Sequence, residues 1–176
     1  SQLEITKVLK KEISIRRKLQ LQAFALEEGK IKEILKTQTL ANKTRIIGIK
    51  DLTRVVKAQE KIQIEIVRDA ANEKLLEIEA GSRAEALIKE NAAEAIVNIE
   101  RATTEKLREL KKEVTQESAA QLLIQVNDEN LTAKARQEIH NKLNNILAEG
   151  EVTRLDAFRI GIASQLLSFK SVNQQI

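Results

Sequence analysis

His140 is the single imidazole in this 176-residue chain, so acid–base or metal chemistry would have to centre on it. A carboxylate-bridged metal bundle uses Glu-x-x-His, with both ligands on one helix face. Here the stretch reads Gln137-Glu138-Ile139-His140, and the position that should carry a ligand is an amide. Cys 0 excludes a disulfide, a thiolate nucleophile and a Cys-based zinc site. The five glycines are isolated, so no phosphate-cradling loop is written in them. The many carboxylates at helical spacing read as a solvated face. The chain is therefore read as a non-enzyme with no catalytic residue, no cofactor and no metal. One charged cluster remains: Lys10, Lys11, Arg16, Arg17 and Lys18 are candidate anion contacts, for phosphate or for anionic lipid. With 2% aromatics there is little to stack on bases, which disfavours nucleic acid and leaves a membrane surface as the candidate partner. Two sequons, Asn42-Lys43-Thr44 and Asn130-Leu131-Thr132, carry no glycosylation reading without a leader.

The elements that must carry these residues are helices. Pro, Cys, Met, Trp and Tyr are all 0, Phe is 3, and charged residues reach 32%. Three rings cannot supply the area of an ordinary globular core. Enrichment in Glu, Lys, Ala, Leu, Ile and Gln points to long helices or a coiled coil. Met 0 leads us to expect a segment of a longer chain. Glu4, Lys7, Lys10 and Lys11 interrupt any leader-like run, and no apolar stretch nears the ~20 residues of a membrane span. A soluble segment, cytoplasmic or membrane-peripheral, is the expectation. Residues 1–60 hold 14 Lys/Arg and 7 Asp/Glu, while 61–130 hold 10 and 15. A basic start and an acidic middle can set direction when helices pair.

Apolar spacing places a seam along the middle of the chain. Ile88, Ala92, Ile96, Ile99, Thr103, Leu107, Leu110 and Val114 recur at steps of three and four. The long repeat is eleven residues, or 3.67 per turn, which implies a straight or slightly right-handed bundle. Apart from Thr103, these residues form the predicted oligomer interface. Leu52, Val55, Gln59, Ile62 and Ile66 form a second stripe upstream, and Ala80, Ala84, Ile88 and Ala92 step by four as a close-approach edge. Glu12/Arg16, Glu28/Lys32, Glu79/Arg83, Glu85/Lys89 and Glu138/Lys142 are i,i+4 pairs in the favourable order.

Val126–Thr132 is the strongest interruption, because Asn and Asp compete for the backbone; Asn130 or Thr132 is placed to cap the next helix. Weaker interruptions are expected at Gly29 and at Gly48–Asp51. Phe158 and Phe169 mark residues 132–170 as the most tightly packed end. Alternating Leu3/Ile5, Ile13/Ile15 and Ile62/Ile64/Ile66 are a competing strand signal, but almost no turn residues separate them. The expected fold is all-α: long helices in an elongated coiled coil or helical bundle, broken near 127–132. The segments are a basic N-terminal part (1–50), a long coiled-coil helix (51–126) and an amphipathic C-terminal module (132–170). One helix over 30–126 would be about 145 Å long. It must fold back on itself or pair with other chains.

The Ala/Glu-rich stretch Ala71–Ile88 and the Ala-Glu-Gly-Glu segment within Ile146–Phe158 resemble the coiled-coil arm of stomatin/prohibitin/flotillin (SPFH, band 7) proteins. In that family the arm assembles many subunits into a membrane-attached ring or cage. The resemblance implies a scaffold formed by a homo-oligomer or with a partner helix, and it transfers no catalytic residue. Peripheral-stalk subunits of rotary ATPases look similar in composition and imply the same class of role.

Overall fold

The computed structural model describes residues 1–37, 40–150, 152–153 and 155–161. Four helices follow in order: α1 (Gln2–Leu35), α2 (Asn42–Leu75), α3 (Arg83–Val126) and α4 (Ala133–Ala148), with a helical stretch over 155–161. No strand occurs among the described residues, so the alternating Ile and Leu pairs lie on helices. The fold is all-α, as the spacing predicts. The chain divides into two compact units. The first joins Ser1–Lys30 with Arg54–Leu107, and the second joins Ile31–Thr53 with the chain from Arg108 onward.

The helix boundaries correct two expectations. The long helix over 51–126 does not exist: α2 ends at Leu75 and α3 begins at Arg83. Gly81 takes a φ of 79°, which glycine adopts without a Cβ penalty. Ser82 Oγ then accepts from the Glu85 backbone N–H at 3.2 Å, and the Glu85 carboxylate reaches back to the Gly81 N–H. Ser82-x-x-Glu85 is a capping box, shifted by one residue at its return arm. Lys89 Nζ lies 2.8 Å from Glu85 and holds its carboxyl below the ordinary value, with the Gly81 N–H contributing next. The chain thus folds back within the first unit, one of the two outcomes the long stripe required.

The second correction concerns glycine. The helices run straight through Gly29 and Gly48, and the chain breaks between Leu35 and Asn42 instead. A single glycine costs a helix about 1 kcal/mol, which packing easily offsets. Gly48 has a positive reason to be there. A Cβ on it would sit 3.0 Å from Leu35 Cδ2, so the glycine lets α1 and α2 approach closely beside their connection. Arg45 completes the corner, donating from Nη1 to the Leu35 carbonyl (2.9 Å) and from Nη2 to the Thr37 carbonyl (2.8 Å). These are carbonyls that a helix end leaves without an intrahelical partner.

The expected interruption at Val126–Thr132 is present. The Asp128 carboxylate accepts from the Asn130 N–H at 3.0 Å, and Thr132, rather than Asn130, caps α4 by accepting from the Ala135 N–H. Gly150, at φ 76°, follows the C-terminal end of α4. In this second unit Leu143 packs with Ala119, Val152 and Ala157, flanked by Leu122, Leu123, Ile146 and Leu147. Phe158 is exposed, and among the described residues alanines and aliphatics make this core. Phe169 lies outside the described residues, as does the remainder of the 132–170 module from 162 onward. The close-approach edge is also relocated. Ala80 and Ala84 are exposed, whereas Ala119, Ala120 and Ala157 are fully buried.

Candidate functional site

The predicted seam is a partly covered face of α3 within the single chain. Ile88, Ala92, Ile96, Ile99, Leu107 and Val114 are half-buried, and Thr103 and Leu110 are buried, within the single chain. Ile88 and Ala92 share a shallow apolar groove of about 280 Å³ with Ile66, Val67, Ala70 and Ala71 of α2. Ile88 and Ala92 of the predicted interface thus lie beside α2 of their own chain. The physical reason is the Gly81–Glu85 turn, which brings α2 against α3. The upstream stripe behaves alike: Leu52, Val55, Gln59 and Ile62 are buried on α2.

The basic cluster splits. Arg17 turns inward: its Nε lies 3.5 Å from Glu65 Oε2, Nη1 donates to the Glu65 carbonyl at 3.1 Å, and the same nitrogen pairs with Asp69. It is corrected from a free anion contact to an α1–α2 tie. Adjacent residues on a helix point about 100° apart, so Arg16 and Lys18 cannot share its direction. Lys10, Lys11, Arg16 and Lys18 are exposed. Further along the same unit, Arg54 pairs with Glu27 at 2.7 Å and Gln59 donates to Glu28 at 2.8 Å. These contacts set α1 antiparallel to α2.

In the second unit, Asn42 Nδ2 donates to Glu117 Oε2 at 2.7 Å, a link the sequence did not suggest. Burial pushes the Glu117 carboxyl above its ordinary value, against the opposing pull of Arg45 and of the Asn42 amide, while Glu113 adds to the rise. A folded state that holds its proton more tightly than the unfolded chain loses stability as pH rises through the raised value. Glu117→Gln keeps an acceptor for Asn42 and removes the titration. The fall in melting temperature from mildly acidic to neutral pH is expected to shrink in this variant, which thermal melts at both pH values check.

Among the described residues, no three His, Cys, Asp or Glu side chains are grouped to hold a metal, and His140 is a half-buried residue of α4. No described helix is long and apolar enough to cross a membrane. Large apolar side chains also face outward. α1 has no buried residue at all, and Leu76, Leu87 and Val97 are exposed on and beside α3. Comparison of the chain with models of known protein families, with curated proteins and with solved structures finds no match.

Proposed function

We propose that this chain is a non-catalytic scaffold whose long amphipathic helices self-associate. The supporting observation is the outward face of α3. At 100° per residue, Leu87, Glu90, Glu94, Val97, Arg101 and Arg108 fall within an arc of about 80°. All six are exposed, with Leu87 at 56% and Val97 at 48%. Two apolar side chains on one arc are a thin interface, and the charges along it alternate, because the exposed Arg83 and Glu105 share the arc. An antiparallel second copy can set Glu94 against Arg101 of its neighbour, twice across the two-fold axis. Like-with-unlike pairing of this kind selects direction more than it adds affinity. The two-fold symmetry matches the commonest closed assembly.

Sedimentation velocity at micromolar concentration is expected to show an oligomer, and Leu87→Asp with Val97→Asp to yield monomers of unchanged helicity. A wild-type monomer throughout that range would overturn the proposal. Ile99→Asp with Leu107→Asp is expected to act differently, lowering the melting temperature, because those two residues are half-buried in their own chain.

A further inference from the structure

Beyond self-association, the exposed face of α1 has the chemistry of a helix that lies on an anionic lipid surface. Ile5, Val8, Ile15, Leu19 and Leu26 fall within an arc of about 80°, which also carries Glu12, four residues before Arg16 and able to pair with it at the edge. Each of the five is an exposed large hydrophobic residue. The packed side of α1, with Arg17, Leu21, Phe24 and Glu28 half-buried, lies roughly opposite. The apolar stripe is therefore left open while α1 is tied to α2. Lys11 and Lys18 stand along one edge of the stripe with Lys7 just beyond, and Arg16 stands along the other; all four are exposed.

Charge decides which occupant fits. Residues 1–26 carry six Lys/Arg and two Asp/Glu, Glu4 and Glu12. A second copy of α1 laid antiparallel on this stripe would bring the Lys11 and Lys18 edge against the same edge of its neighbour, which repels. Nucleic acid would satisfy the cations and leave five large apolar side chains in water, with only Phe24 in this segment to stack on a base. A bilayer containing acidic headgroups meets both needs at once. Hydrocarbon lies below the helix and phosphate or carboxylate lies at the level of its flanks. We infer that α1 docks through Ile5, Val8, Ile15, Leu19 and Leu26 onto an anionic bilayer, with Lys7, Lys11, Arg16 and Lys18 at the headgroups.

The test is vesicle cosedimentation of the full chain at low and high salt. The vesicles are phosphatidylcholine alone, or phosphatidylcholine mixed with phosphatidylserine. Binding is expected to the mixed vesicles and to weaken as salt rises. Lys7→Gln, Lys11→Gln and Lys18→Gln together are expected to weaken it about a hundredfold, at roughly fivefold per cation near such a surface. Val8→Ser, Ile15→Ser and Leu19→Ser together are expected to abolish it. Both triple variants alter exposed side chains, and circular dichroism is expected to show unchanged helicity. The inference is overturned by no binding to the mixed vesicles at low salt, or by equal binding to phosphatidylcholine alone. It is equally overturned if the serine variant binds like wild type, or if DNA duplex binds both triple variants in the pattern expected of a purely electrostatic contact.

Discussion

Val55→Asp is expected to lower stability at neutral pH by about 4 kcal/mol through ionisation linkage alone, the limit reached at pH 7 when full burial raises a carboxyl pKa by about three units or more. Val55 is 0% exposed on α2, where Leu52, Val56 and Ile62 are also buried and Gln59 is the nearest buried polar residue in that stripe. The loss nears the lower end of the whole unfolding free energy of a small domain, about 5–15 kcal/mol. The sign of its pH dependence is specific. An aspartate here would have its folded pKa raised above the unfolded value. The variant is therefore most stable below the unfolded pKa, and loses stability as pH rises through the folded one. Thermal melts followed by circular dichroism at acidic and neutral pH check this. A variant as stable as wild type at neutral pH would mean that the site opens to water.

Leu143→Ala is the second large effect, expected at about 2–5 kcal/mol. Leu143 is 1% exposed, and Ala119, Ala157 and Val152 around it are at 0–2%. Ala119 and Ala157 have no flexible side chains with which to refill the space, and the loss within that range measures how far Leu122, Leu123, Ile146 and Leu147 shift into it. Urea unfolding of wild type and variant measures it through the midpoint at constant slope. A loss below about 1 kcal/mol would show that the surrounding helices collapse into the gap. Since α4 docks through this residue, its helical signal is expected to melt first in the variant.

Much of this architecture was legible in the linear order of residues. Steps of three and four from Ile88 to Val114 and from Leu52 to Ile66 located the faces that pack, because a helix places such residues on one side. Without proline, nothing in the backbone forbids helix over long runs. The Asn127–Thr132 cluster located a real break, and Thr132 is its cap. The signal for the missed turn was also present, in Gly81-Ser82-Arg83-Ala84-Glu85, where a capping box follows a glycine. Composition as an alanine/glutamate coil concealed it. The break before Asn42 carries no glycine or proline, and nothing local announces it.

What the sequence determined by itself was helix type, the apolar faces and the absence of catalytic groupings built on cysteine or paired histidines. These depend on residue identity and on spacing within one or two turns. The tertiary structure alone decided what each face meets. Arg17 and Asp69, or Asn42 and Glu117, are separated by 52 and 75 positions. Whether a cation is free or tied depends on that return of the chain. The same return set Ile88 and Ala92 beside α2 and left Leu87 and Val97 of α3 and the apolar stripe of α1 exposed. Apolar spacing says that a face will be buried; the position of the turns says against what.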